Sequence, residues 1–258
     1  MKSETTRVVV FTDLDGTLLN EKYEFEDVMP IVARLLDLRV AMVFCSSKTR
    51  AEIEYYREKL CVNDPFISEN GAAIFIPKGY FTLKHNYTKQ TDRYEIVELG
   101  IAYSTIREKL KRIRKNSADR IIGFGDMTAE EISKDSGLPL NLAELSKQRE
   151  YTEPLIIQQG SVELNAVEKE GLHYTTGGKY FQLTGEHNKG KAVSILKELY
   201  AQESQKLITV GVGNHTNDIE MLTVVDMPFM VPKMEELQSV WDRISRAILH
   251  LSFDKCCN

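Results

Sequence analysis

The sequence predicts an α/β fold, with a doubly wound parallel sheet built from the two ends of the chain and an α+β cap domain inserted between them. Three observations predict it. Short continuous apolar runs such as Val8 to Thr12, Val40 to Cys45 and Leu207 to Val212 have the length and β-branched content of strands buried on both faces. Amphipathic helical segments separate these runs, giving the β-α-β order of a doubly wound sheet. The middle of the chain lacks such runs and mixes charged helices with shorter strands.

In chain order, Val8 to Thr12 is the first strand and Asp27 to Leu38, with apolar residues at helical spacing, the first helix. Val40 to Cys45 is the second strand. Thr49 to Leu60 is a helix with Glu52, Glu54, Arg57, Glu58 and Lys59 on its wet side. Phe66-Ile67 and Ala72 to Ile76 are strands around a turn at Asn70-Gly71. The middle contains a strand at Tyr94 to Leu99 and a helix at Ala102 to Arg114. Two more helices, Ala129 to Ser136 and Leu142 to Arg149, are parted by Gly137-Leu138-Pro139. Strands follow at Leu155 to Gln159, Leu172 to Thr176 and Tyr180 to Thr184. The first pattern then returns: helix Lys189 to Tyr200, strand Leu207 to Val212, helix Asn217 to Val224, edge strand Pro228 to Val231 and helix Lys233 to Arg246, with a continuation to Leu249 left open. Residues 1–82 and 187–258 are therefore expected to form the core domain, and 83–186 the inserted cap.

Composition narrows the function classes. The 258 residues are 42% hydrophobic and 28% charged, with a net charge of −5. No basic footprint calls for nucleic acid or an anionic membrane. A mildly acidic protein that binds an anion must gather positive charge locally or borrow it from a metal. No apolar run approaches the ~18 residues of a membrane helix, and Met1 to Arg7 is too polar for a secretory leader. The four cysteines, Cys45, Cys61, Cys256 and Cys257, have no C-x-x-C or zinc-ligand spacing, so reduced thiols and a cytoplasmic location are expected.

The chemistry concentrates after the buried strands. Asp13 and Asp15 sit two apart at the carboxyl end of the first strand, where open α/β sheets bind ligands. Two close carboxylates repel unless a cation lies between them. Mg²⁺ fits, taking oxygen ligands while keeping sites for water and phosphate. Ser46, after the second strand, opens a helix whose N–H groups form a natural anion site. Ser47, Lys48 and Arg50 are further candidates beside it. Lys189 stands at the start of a later helix, a poor place for a cation on dipole grounds.

Strand-Asp13-Leu14-Asp15-Gly16-Thr17-Leu18 resembles the first motif of the haloacid dehalogenase superfamily of phosphatases. The resemblance implies that Asp13 attacks phosphorus. It also implies that Asp15 protonates the leaving oxygen and then deprotonates the hydrolytic water. Ser46 matches the second motif, and Lys189, in Lys189-Gly190-Lys191-Ala192, matches the third better than Lys191 does. The fourth motif is normally G-D-x-x-N-D, but this chain reads Gly213-Asn214-His215-Thr216-Asn217-Asp218. Asn214 offers a carbonyl oxygen without charge, so Mg²⁺ binding is expected to weaken. The resemblance makes Asp13, Asp15, Asn214 and Asp218 the metal candidates, Asp218 alternatively orienting Lys189.

Several stretches resemble the mannosyl-3-phosphoglycerate phosphatase family more closely: Ser46 to Glu52, Pro65 to Ala72, Ile76 to Phe81, Gly123 to Thr128 and Arg149 to Pro154. That resemblance implies a small sugar-glycerate phosphate as substrate. Glu69 and Asn70 are then candidates for sugar hydroxyls, Arg149 for the glycerate carboxylate, and Gly178 with Lys179 for a further anion contact. Another sugar phosphatase, a phosphoryl-transferring mutase and a phosphosugar-binding protein weakened at Asn214 stay open as alternatives, as does oligomeric state.

Overall fold

The structure, a computed structural model, describes residues 6–115, 121–157, 164–177 and 179–253. The first strand, β1 (Thr6–Thr12), leads through a loop to α1 (Met29–Asp37), then β2 (Ala41–Phe44), α2 (Arg50–Lys59) and the hairpin β3 (Phe66–Ser68) and β4 (Ala73–Pro77). A second hairpin, β5 (Lys89–Gln90) and β6 (Tyr94–Glu98), follows. The insertion then contains α3 (Tyr103–Lys115), β7 (Ile121–Gly123), α4 (Ala129–Ser136), α5 (Leu140–Ser146), β8 (Glu153–Ile157), α6 (Leu164–Lys169), β9 (His173–Gly177) and β10 (Tyr180–Thr184). The chain returns through α7 (Lys189–Gln202), β11 (Lys206–Gly213), α8 (Ile219–Thr223), β12 (Met227–Met230) and α9 (Leu237–Phe253).

The parallel sheet runs β12-β11-β1-β2. It explains the unbroken apolar runs, because both faces are covered. Val8 and Val10 of β1 pack with Val32, Leu35, Trp241 and Ile244 from α1 and α9. Val9 and Phe11 pack on the opposite face with Val193, Leu196 and Met221 from α7 and α8. A parallel bridge from Cys45 to Ile67 joins β2 to β3. A second sheet, β3-β4-β6-β5, is antiparallel. Its β6 pairs with β4 from Ala73 to Pro77 and with β5 on its other side, so residues 94–98, assigned to the insertion from sequence, hydrogen-bond to the hairpin that precedes it. The third sheet, β7-β8-β10-β9, is antiparallel and has its own core of Ile106, Leu110, Leu155, Val167 and Leu183.

Several local expectations shift. The helix expected at 142–149 runs from Leu140 to Ser146, directly after Pro139, which supplies the N-cap. The last helix begins at Leu237, after a 3₁₀ turn at Met234–Glu236, and extends to Phe253, Ile248 continuing its buried stripe past Arg246. The expected helix at 217–224 is a 3₁₀ turn, Thr216–Asp218, followed by α8. Glu52 and Arg57, expected on the wet side of α2, are buried. Strand residues expected at Gln158 and Gln159, together with Cys256 and Cys257, lie outside the described residues.

Candidate active site

Three strands deliver the site. The main-chain ladder continues past β1, with Asp13 N–H donating to Val212 O (2.9 Å) and Cys45 N–H to Thr12 O (2.8 Å). Asp13, Ser46 and Gly213 thereby emerge side by side at the carboxyl ends of β1, β2 and β11. The loop after β1 is pinned from behind by Trp241, whose Nε1–H donates to Thr17 O at 2.7 Å.

Lys189 is brought in by α7. Asn188 caps that helix, its Oδ1 accepting from Lys191 N–H at 2.8 Å. The turn at Gly71 sets where α7 begins. Gly71 has φ +92°, and a Cβ there would lie 2.1 Å from Asn188 O, so only glycine lets the two segments meet. Lys189 Nζ then sits 2.8 Å from Asp13 Oδ1 and 2.5 Å from Asp218 Oδ1, with its side chain fully enclosed. Burial opposes its charge, but Asp13 and Asp218 outweigh that and raise its pKa above the ordinary lysine value. Burial pushes the Asp13 carboxyl up to about 7 while Lys189 pulls it down, and Asp218 and Asp15 push it up again. An ionised nucleophile here calls for more positive charge than Lys189 alone supplies.

Asn214 bears on that deficit. Its Nδ2 donates to the main-chain oxygen of Asp15 at 3.0 Å, while its Oδ1 is buried without a hydrogen-bond partner. An orphaned carbonyl oxygen beside a carboxylate is the donor type a hard cation takes up. Among the described residues no group of three or more Asp, Glu, His or Cys side chains is arranged to hold a metal ion. The side-chain oxygens that follow β1 and β11 here are those of Asp13, Asp15 and the neutral Asn214. Asp218 has other partners: its Oδ1 holds Lys189, and its Oδ2 accepts from the N–H groups of Asn214 (2.9 Å) and His215 (3.0 Å).

The remaining predicted residues divide. Ser46 is buried, and its main-chain oxygen accepts from Asn70 N–H at 2.9 Å. Asp15, Ser47, Lys48, Arg149, Lys179 and Gln182 line one cavity of ≈ 210 Å³ between β1, α2 and the insertion. Asn70 and Lys189 line a second, of ≈ 190 Å³, with Asn217 and Glu220. Larger concavities of ≈ 600 and ≈ 680 Å³ contain none of the predicted residues. Lys48 Nζ lies 3.0 Å from Asp15 Oδ1 and 3.4 Å from Glu52 Oε1. Arg149 donates from Nε to Ser146 O (2.9 Å) and from Nη1 to Ser47 O (2.8 Å). Lys179 stands half exposed on the rim, paired with Asp135 at 2.9 Å. Gly178 lies outside the described residues.

Glu69 and Arg50 line neither cavity and face the insertion instead. Glu69 is fully buried, and its carboxylate accepts from Glu150 N–H (2.8 Å), Tyr151 N–H (3.1 Å) and Thr152 Oγ1–H (2.6 Å). Arg50 pairs with Glu150 at 3.1 Å. Asn70 makes a relay of amides: Asn217 Nδ2 donates to Asn70 Oδ1 (3.1 Å), and Asn70 Nδ2 to Gln182 Oε1 (3.0 Å). No motif pointed to Gln182, nor to Tyr23, whose ring lies over the Lys48 ammonium at 5.2 Å. Tyr23 does adopt φ +62°, a left-handed conformation that a bulky residue enters only when its surroundings demand it.

The sequence profile of the haloacid dehalogenase-like hydrolases matches residues 10–237. A glucosyl-3-phosphoglycerate/mannosyl-3-phosphoglycerate phosphatase of Methanococcoides burtonii is 41% identical over 230 residues, spanning 87% of this chain and 85% of its own length. The mannosyl-3-phosphoglycerate phosphatase of Pyrococcus horikoshii is 39% identical over 230 residues, spanning 88% and 91%. Among solved structures, Thermoplasma acidophilum 0175 superimposes with a TM-score of 0.63 at 17% identity, covering 93% of this chain and 98% of that one. A haloacid dehalogenase-like hydrolase from Bacteroides thetaiotaomicron gives 0.62 at 13% identity, covering 92% and 99%. These two likenesses concern the fold.

Proposed function

The chain belongs to the haloacid dehalogenase-like hydrolases, and on that premise we propose that this phosphatase cleaves mannosyl-3-phosphoglycerate through a phospho-aspartate on Asp13. The observation that carries the reading is the buried ion triad, with Lys189 2.8 Å from Asp13 and 2.5 Å from Asp218. A fully enclosed cation held by one carboxylate leaves the other, at the mouth of the parallel sheet, as an aimed nucleophile.

In the first step an Asp13 carboxylate oxygen forms a bond to phosphorus as the bond to the ester oxygen breaks. The Asp15 carboxyl gives its proton to that leaving oxygen. In the second step a water oxygen attacks phosphorus, its proton passes to Asp15, and the Asp13–phosphorus bond breaks. Lys189 offsets the charge gathered on the phosphoryl oxygens, and Ser46 lies beside Asp13 to hydrogen-bond them. Mg²⁺, held by Asp13 and Asn214 with Asp218 bracing the loop behind and the Asp15 carboxyl left free as the acid, would supply further positive charge at the phosphoryl group. The core, residues 6–98 and 187–253, carries this chemistry, and the insertion selects the alcohol. Arg149 and Lys179 on the cavity wall and rim suit a glycerate carboxylate, and Gln182 a sugar hydroxyl.

The relatives named above carry both the mannosyl and the glucosyl ester in their names, so the glucosyl ester is the second reading. Phosphate release is measured on both esters and on hexose phosphates, with and without Mg²⁺, for the wild type and Asp13→Asn. Mg²⁺-dependent release from the mannosyl ester, lost in Asp13→Asn, is expected. Substantial activity in Asp13→Asn would sink the phospho-aspartate, and preference for a hexose phosphate would sink the substrate.

A further inference from the structure

We propose that Lys48 is a positioning residue for the general acid, holding the Asp15 carboxyl in one orientation at the cavity wall, rather than a substrate ligand. The inference rests on the reading of Asp15 as the acid. Its basis is the enclosure built around the Lys48 ammonium. The Lys48 side chain is only 5% exposed, although it borders the substrate cavity. Asp15 Oδ1 lies 3.0 Å away on one side and Glu52 Oε1 3.4 Å away on another. The rings of Tyr23 and Tyr56 lie over the ammonium at 5.2 and 5.7 Å.

Each wall of this enclosure is separately anchored. Glu52 is held by a capping box: its Oε2 accepts from Thr49 N–H (2.9 Å) and Thr49 Oγ1–H (3.0 Å), and Glu52 N–H donates back to Thr49 Oγ1 (3.1 Å). Tyr23 holds its left-handed backbone, and its main-chain oxygen accepts from Tyr56 Oη–H at 3.3 Å. An ammonium surrounded by two carboxylates and two aromatic faces has little left to offer a ligand.

The consequence falls on Asp15. Its Oδ1 is itself buried, yet the side chain as a whole is 40% exposed, so the exposure belongs to Oδ2. Lys48 therefore holds Oδ1 inward and leaves Oδ2 facing the cavity in which the ester is bound. Without the cation, Asp15 is free to rotate.

The test compares Lys48→Met, Lys48→Arg and Asp15→Asn on the mannosyl ester, whose alkoxide leaving group needs a proton, and on p-nitrophenyl phosphate, whose leaving group needs little. General acid–base catalysis contributes roughly 10²–10⁴-fold, so Lys48→Met is expected to lower kcat on the mannosyl ester by about 30–100-fold with KM little changed. Its kcat/KM on p-nitrophenyl phosphate should fall far less, and Lys48→Arg should recover most of the loss. A raised KM with kcat retained would make Lys48 a substrate ligand and overturn the proposal. Equal losses on both substrates would overturn it too. If Lys48→Met does not fold, Lys48→Gln takes its place, and equal losses on both substrates, or a raised KM with kcat retained, in that variant overturn the proposal. If Asp15→Asn itself shows no leaving-group dependence, it is the reading of Asp15 as the acid that fails.

Discussion

Replacing Glu69 by glutamine separates two roles for this residue. The sequence suggested a contact to sugar hydroxyls. The structure instead places its carboxylate against three donors of the insertion, at 2.8, 3.1 and 2.6 Å. Glutamine keeps one acceptor oxygen and presents an NH₂ group where the other stood, so at least one donor loses its partner and meets another donor. Hydrogen bonds to charged groups are worth about 1.5–3 kcal/mol each, and a buried donor left unpaired costs about 1–3 kcal/mol. Burial pushes the Glu69 carboxyl up, against Arg149 and the three donors, which places the expected loss toward the lower part of that sum, about 3 kcal/mol. For a chain of this size that corresponds to roughly 6–12 °C in Tm. The assay is thermal unfolding of wild type and Glu69→Gln at neutral pH, with Thr152→Ala and the double variant to isolate the Thr152 pair. A melting point within about 2 °C of wild type, accompanied by a raised KM, would refute the clasp and return Glu69 to substrate binding.

Asn214→Asp restores a charged oxygen at the orphaned Oδ1 and should tighten Mg²⁺ by roughly tenfold, read by calorimetric titration; unchanged affinity would remove position 214 from the metal. His187 sets a pH dependence. Its Nε2 lies 3.2 Å from Glu69 O, and burial holds its pKa down at about 4 against an ordinary 6.5. The unfolded chain therefore binds the extra proton between those values, so this contribution to stability is complete above pH 6.5 and declines as the pH falls toward 4. The decline reaches at most about 3 kcal/mol. Denaturant midpoints at several pH values should show a gentler slope for His187→Gln; identical slopes would show that His187 titrates normally.

The parallel sheet and the place of Asp13 on it were legible because both rest on local signals. A strand covered on two faces leaves an unbroken apolar run, and Asp13 follows such a run directly. Lys189 was legible as a cation in a first helical turn, where the helix dipole disfavours it unless carboxylates compensate, as Asp13 and Asp218 do. Glu52 was misread as wet because burial of a carboxylate shows only through its partners, here Thr49 and Lys48. The resemblances inside the insertion pointed to substrate, but several of those residues build its frame. Glu153 accepts from Gly125 N–H (3.0 Å) and pairs with Arg107 (3.1 Å), and Arg107 and Arg114 both pair with Asp126. Gln182 and Tyr23 carry no local signal at all, since their roles arise from segments far apart in the chain.

The amide relay from Asn217 through Asn70 to Gln182 has a consequence for how such a protein can change over generations. Asn70 accepts from Asn217 and donates to Gln182, so the orientation of one amide dictates that of the others. Substituting one member strands a buried polar group on the next. These three positions, one in the loop that follows β11, one in the turn beside Ser46 and one on β10, are therefore expected to drift together or not at all. A lineage acquiring a new preference for its alcohol would have to keep the Gln182 link while altering the walls around it. Specificity would then evolve by exchange of the surrounding wall residues more readily than by replacement of the whole insertion.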